Sequence, residues 1–133
     1  MLRLETKAVH SGEPRPGIGR AVTLPIFQSS TFEYHGETRY DDILYLRLNN
    51  SPNHRAVSAK IAELEGGEAA MVTASGMAAI TTTLLTVLKP GTHLLAQGGL
   101  YGGTHEFVAH ELGRLGIEHD WIAGDDPDSW GRK

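Results

Sequence analysis

The sequence contains no cysteine. That excludes disulfides and thiolate metal ligation, and it suits a reducing compartment. No apolar run approaches the ~20 residues that a membrane-spanning helix needs. Cationic excess is absent too: 12 Lys and Arg stand against 16 Asp and Glu, for a net charge of −4. Neither nucleic acid nor an anionic membrane surface is therefore expected as a partner. The opening stretch "MLRLETKAVHSGEPRPG" is charged throughout and lacks the apolar core of a signal peptide. The chain contains no G-x-x-x-x-G-K-[ST], and "GGLYGG" at 98–103 is not G-x-G-x-x-G, which counts against a generic nucleotide-binding domain. The expectation is a soluble, cytoplasmic protein.

What is there is ordinary globular material. The 133 residues are 40% hydrophobic and 21% charged, enough for one domain or part of a larger one. Residues 1–50 look irregular, with Gly and Pro concentrated in "SGEPRPGIGR" and Pro25 breaking the apolar run at 21–34. They read as an extended arm lying on something else. Order improves from residue 51, which opens an α/β segment at 51–133. Ser51-Pro52 has the form of an N-cap followed by proline, and Val57, Ile61 and Leu64 repeat with helical spacing up to Gly66-Gly67. "EAAMVTA" (68–74) reads as a short buried strand, and 77–88 as a helix striped by Met77, Ile80, Leu84 and Leu88. A strand at 93–97, a helix at 105–116 with Val108, Leu112 and Leu115 on one face, and a strand at 117–123 follow. This β-α-β-α-β alternation predicts a parallel-rich sheet covered by helices. The polar ending "GDDPDSWGRK" adds no closing element, so the chain reads as the front portion of a larger fold.

Chemistry concentrates where strands turn into helices. In "VTASGMAAI" (72–80), Ser75 and Gly76 stand at a helix start, where unpaired amides and the helix dipole favour an anion and glycine allows close approach. Serine is equally a common N-cap and glycine a common turn residue. The next junction, "LYGGT", carries Tyr101, whose ring is suited either to stacking on a flat ligand or to packing under its own loop. In "YLRLNNSPNH", Tyr45 and Arg47 alternate with leucines, so in an extended segment they project together, as a pair gripping phosphate or as an exposed polar face. "HEFVAH" is one residue too long for the zinc motif H-E-x-x-H. On an α-helix, positions five apart diverge by about 140°, so His105 and His110 are not expected to chelate together, and no metal is expected.

Taken in order, Tyr-x-Arg with "NNSPN", "LEGGEAA", "ASGMAAI" and "LYGGT" resemble the Cys/Met-metabolism family of pyridoxal-phosphate enzymes, from "TKAVHSGE" to "DDPDSW". That family includes cystathionine γ-lyase, γ-synthase and β-lyase, methionine γ-lyase and the O-acylhomoserine sulfhydrylases. The resemblance implies the α/β fold of type I pyridoxal-phosphate (aspartate aminotransferase-like) enzymes, here an N-terminal arm plus the first part of the large domain. It implies pyridoxal 5′-phosphate as cofactor and a small amino acid of sulfur metabolism as substrate, worked on by γ-elimination or γ-replacement. Gly76 and Met77, with Ser75 beside them, match the cofactor-phosphate cup. Tyr101 matches the tyrosine that stacks on the pyridine ring and moves protons. Tyr45 and Arg47 match the pair that serves the neighbouring subunit of a dimer or tetramer.

Two departures matter. The usual "NPT" after the arginine reads "NNSPN" here. None of Lys7, Lys60, Lys89 and Lys133 stands in the setting of the family's Schiff-base lysine, so the chain by itself is expected to be inactive. The rival expectation is a truncated, non-catalytic homologue that assembles with full-length subunits.

Overall fold

A computed structural model describes residues 2–124 and Gly131; most of the polar C-terminal stretch, with Lys133, lies outside the described residues. The chain divides into two compact units, residues 1–72 and 73–133. Helix 52–65 lies in the first of these units. Among the described residues no helix is long and apolar enough to cross a membrane.

The first unit is built around α2 (Pro52–Glu65). Ser51 caps it by accepting from the His54 amide, Pro52 fills the first turn, and Gly66 ends it in the left-handed conformation (φ 66°) that suits glycine. A shorter α1 (Leu4–His10), which periodicity did not indicate, packs on α2. The Lys7 ammonium lies 2.8 Å from the Glu63 carboxylate, and Lys60 donates to the Val9 carbonyl at 3.1 Å. Gly12 (φ 77°) passes so close to α2 that a Cβ there would run into the Ala56 carbonyl. Phe27 is held by an amide pair: its N–H donates to Asn53 Oδ1 at 3.2 Å and its carbonyl accepts from Nδ2 at 2.7 Å. The N-terminal residues are therefore fastened to α2 over two stretches rather than wholly extended. Val57 and Ile61, 48% and 45% exposed, line a groove on α2 instead of a core, although their helical spacing is as expected.

The second unit opens with α3 (Gly76–Val87) and carries a two-stranded parallel sheet of β1 (His93–Gln97) and β2 (Glu118–Ile122), in register from His93 with Glu118 to Gln97 with Ile122. The crossover between the strands is helical: α4 (Gly102–Glu106), a π-helical turn (Phe107–Glu111) and α5 (Leu112–Arg114) follow one another without a break. Ala96, Val108, Leu112 and Ile117 form the core, with Leu84, Leu88, Leu94, Leu100, Phe107 and Trp121 packed against them. Fully burying Val108, Leu112 and Ile117 contributes on the order of 1.5–3 kcal/mol each. The hydroxyls of Thr81, Thr83 and Thr86 donate back to carbonyls four residues earlier, which satisfies them inside a helix they do not favour.

Two expectations fail here for a physical reason. Residues 68–74 form no strand: Met71 is 63% exposed, and no partner among the described residues supplies the ladder an extended segment needs. Leu115 is 45% exposed, because the π turn inserts residues into the repeat and α5 ends before it. The architecture is α/β, with parallel strands joined by a helical crossover.

Candidate functional site

The Ser75-Gly76 junction is a capped helix start. Ser75 is extended (φ −161°, ψ 164°), and its Oγ accepts from the Ala78 amide at 3.0 Å while its carbonyl accepts from Ala79. The Thr73 hydroxyl donates to the Ser75 carbonyl at 2.9 Å and steadies the approach. Among the described residues no acceptor takes the N–H groups of Gly76 and Met77, and a Cβ on Gly76 would meet nothing within 4 Å. Two unclaimed amides, the Ser75 hydroxyl and the positive end of α3 thus gather where Gly76 leaves room. That donor set fits a phosphate.

Tyr101 stands in the same unit as the N-cap of α4, its carbonyl accepting from Thr104 and His105. Its side chain is 77% exposed. Cε1 of Tyr101 and Sδ of Met77 flank Gly103: a Cβ there would lie 3.1 and 3.2 Å from them. The Thr104 hydroxyl reaches Met77 Sδ at 3.8 Å. Within this unit the Met77 side chain is thus the link between the α3 start and Tyr101. The strand expected before Ser75 is absent, so the first junction is a loop-to-helix turn.

The Tyr45–Arg47 pair belongs to the first unit. Its members come together, but not by alternation along a strand. Tyr45 is extended and bridges Thr31, whereas Leu46–Leu48 close a 3₁₀ turn that brings Arg47 back over Tyr45. Arg47 Nε donates to the Tyr45 hydroxyl at 2.9 Å, and the guanidinium carbon sits 4.9 Å from the ring centroid. The sequence did not disclose what holds this turn. Asn50 Oδ1 accepts from the Tyr45 amide at 3.0 Å and Nδ2 donates to the Ile43 carbonyl at 2.7 Å. Asn49 adopts the left-handed conformation (φ 55°) and donates to the Val72 carbonyl at 2.7 Å. The signal was the doubled asparagine before Ser-Pro, since asparagine both tolerates that conformation and bonds to nearby backbone.

The histidines of "HEFVAH" take separate partners. His105 stacks on Trp121 with centroids 4.4 Å apart and planes 7° apart, and His110 Nε2 lies 3.3 Å from the Glu106 carboxylate. Among the described residues no group of three metal-ligating side chains converges.

Residues 5–133 match the family described as Cys/Met metabolism PLP-dependent enzyme. The chain is 37% identical over 135 residues to the O-acetyl-L-homoserine sulfhydrylase of Corynebacterium glutamicum, covering 95% of this chain and 31% of that one. It is 42% identical over 127 residues to the L-methionine gamma-lyase of Fusobacterium nucleatum subsp. polymorphum, covering 90% and 32%. Its fold matches the crystal structure of cystathionine gamma-lyase from Lactobacillus plantarum complexed with L-serine, with a TM-score of 0.85 and 29% identity over 98% of this chain and 34% of that one. The chain thus spans about a third of the length of the relatives it matches.

Proposed function

The chain belongs to the Cys/Met metabolism family of pyridoxal-phosphate-dependent enzymes, and on that premise we propose that it forms the N-terminal part of an enzyme of sulfur amino acid metabolism. The reaction is γ-elimination or γ-replacement on cystathionine, methionine or an O-acylhomoserine. The observation that carries this reading is the start of α3: a capped helix with two unclaimed amides and open space at Gly76, beside an exposed tyrosine ring.

In this reading the amides of Gly76 and Met77 and the hydroxyl of Ser75 hold the cofactor phosphate at the helix terminus. The exposed Tyr101 ring would offer the cofactor's flat ring a stacking surface, and its phenol would give or take a proton at the substrate. The cofactor, when bound, supplies the electron sink that makes bonds at the substrate's carbons breakable. Tyr45 and Arg47 serve the phosphate held by a neighbouring copy. Arg47 spends Nε on Tyr45, and among the described residues nothing accepts from its two terminal nitrogens, which leaves a fork for a phosphate.

The lysines do not extend this reading to catalysis by residues 1–133 alone. Lys7 pairs with Glu63, Lys60 donates to Val9, and Lys89 is exposed at the end of α3. We therefore expect the 133-residue chain to bind the cofactor's phosphate without turning over substrate.

The test uses 4′-deoxypyridoxine 5′-phosphate, which has the ring and phosphate but no aldehyde to react with surface lysines. Saturable binding by the 133-residue chain, lost when the probe lacks its phosphate, supports the assignment. Equal binding of both probes, or of neither, overturns it.

A further inference from the structure

Gly103 occupies the second position of α4, and it is glycine for want of space rather than for backbone freedom. Its φ lies outside the left-handed region, and glycine inside a helix costs stability relative to alanine. The local backbone would therefore be better served by a side chain. The neighbours would not, because a Cβ would stand 3.1 Å from Tyr101 Cε1 and 3.2 Å from Met77 Sδ, inside ordinary contact distance. Gly102, one residue earlier in the same turn, meets nothing within 4 Å. Two adjacent glycines thus differ in the one respect that concerns Tyr101.

We propose that Gly103 is a positioning residue for Tyr101: its bare Cα is the notch in which the phenol edge seats against Met77, and this seat fixes where the ring stands at the mouth of the α3 terminus. The assignment deepens the role given to Tyr101 above and rests on it for its consequence in binding. Of the two side chains that touch the notch, Met77 is the more firmly held, being partly buried with its sulfur in reach of the Thr104 hydroxyl. The ring, 77% exposed, is the one that gives way. A methyl at position 103 displaces the ring outward and leaves the phosphate cup as it is.

The test is made on the 133-residue chain by NMR, reading the cross-relaxation between the Tyr101 ring protons and the Met77 methyl. Gly102→Ala should keep that contact. Gly103→Ala should weaken it, since the ring must give by a few tenths of an ångström, while the α4 amides stay as well protected as in the parent, since alanine favours the helix. Adding Met77→Ala to Gly103→Ala removes the thioether and should return the Tyr101 ring signals towards their parent positions, even if the single variant folds poorly. In binding, Gly103→Ala should hold inorganic phosphate as the parent does and bind 4′-deoxypyridoxine 5′-phosphate roughly threefold to tenfold more weakly, the size of one stacking contribution. A Gly103→Ala chain that keeps the ring–methyl contact at parent strength, or a Gly102→Ala chain that weakens it equally, overturns the proposal. A parent chain that binds neither probe overturns the cofactor role of Tyr101, while the ring–methyl contact still decides the role of Gly103.

Discussion

Arg47 donates through Nε to the phenolic oxygen of Tyr45 at 2.9 Å while its guanidinium carbon lies 4.9 Å from that ring's centroid. The two residues therefore work as one unit: the hydroxyl aims the fork and the ring face carries the charge. Removing the hydroxyl should separate these contributions. In Tyr45→Phe the cation–π contact survives but Nε loses its acceptor, so the Arg47 Nε–H signal should exchange with water several times faster. An unchanged exchange rate would show that the hydrogen bond does not order the guanidinium.

The hydroxyl of Ser75 caps α3 and, in the proposed function, also holds phosphate; two substitutions distinguish these roles. Ser75→Ala removes the cap and should lower stability by about 1 kcal/mol in urea denaturation. Ser75→Asp retains a capping oxygen and adds a charge that suits a helix N-terminus, so stability should hold. The same charge repels phosphate, and binding of 4′-deoxypyridoxine 5′-phosphate should fall by an order of magnitude or more. Full binding by the aspartate variant would remove the anion from this site.

If Tyr45 and Arg47 act on a neighbouring copy, damage in one chain can be complemented by another. Arg47→Ala and Ser75→Asp chains should each bind the probe poorly alone. Mixed, they should regain binding at those sites that combine an intact Ser75 with an intact Arg47. Titration of the mixture checks this, and a mixture no better than its components would place the pair's function within one chain.

Asn50 holds the Tyr45 amide and the Ile43 carbonyl with opposite ends of one amide group. Asn50→Ala leaves both part-buried groups unpaired and should cost about 1–3 kcal/mol. Asn50→Asp keeps the acceptor for Tyr45 but sets a carboxylate against the Ile43 carbonyl, so it should be no better than alanine at neutral pH and partly recover as the pH is lowered and the carboxyl protonates. Urea midpoints at pH 7 and pH 4 decide the matter.

Gly12 combines a left-handed φ of 77° with a close pass over the Ala56 carbonyl. Gly12→Ala should destabilise the first unit by about 2 kcal/mol or more, since it adds backbone strain to a steric clash. Hydrogen exchange should report the loss in α1 and α2 before it reaches β1 and β2.

Local chemistry made much of this legible in advance. Ser51-Pro52 and Gly66 mark both ends of α2, Ser75 marks the start of α3, and β1 lies where five apolar-rich residues follow a Pro-Gly turn. These signals depend on residues within a turn of one another. The misread features depend on partners distant in sequence. "EAAMVTA" has the composition of a strand, yet a strand exists only where another offers its backbone. α1 owes its place to contacts with α2, including Lys7 with Glu63, 56 residues away in sequence. At the site, the residue types pointed to Ser75, Gly76, Met77 and Tyr101 and to the Tyr45–Arg47 pair, but their supports were hidden. Nothing in a pair of glycines says which one borders a ring, and the turn at Leu46–Leu48 replaced an expected alternation because Asn50 closes the backbone on itself.

The π turn at Phe107–Glu111 makes the β1-to-β2 crossover behave as a phase shifter. Upstream of it the helix is timed to Tyr101 and to His105 on Trp121; downstream it is timed to Leu112 and Ile117 in the core. Winding the same residues as an even α-helical repeat would rotate one half against the other by about 100°. The ring and the core could then no longer both be in place, so the wider turn is what lets one crossover serve both.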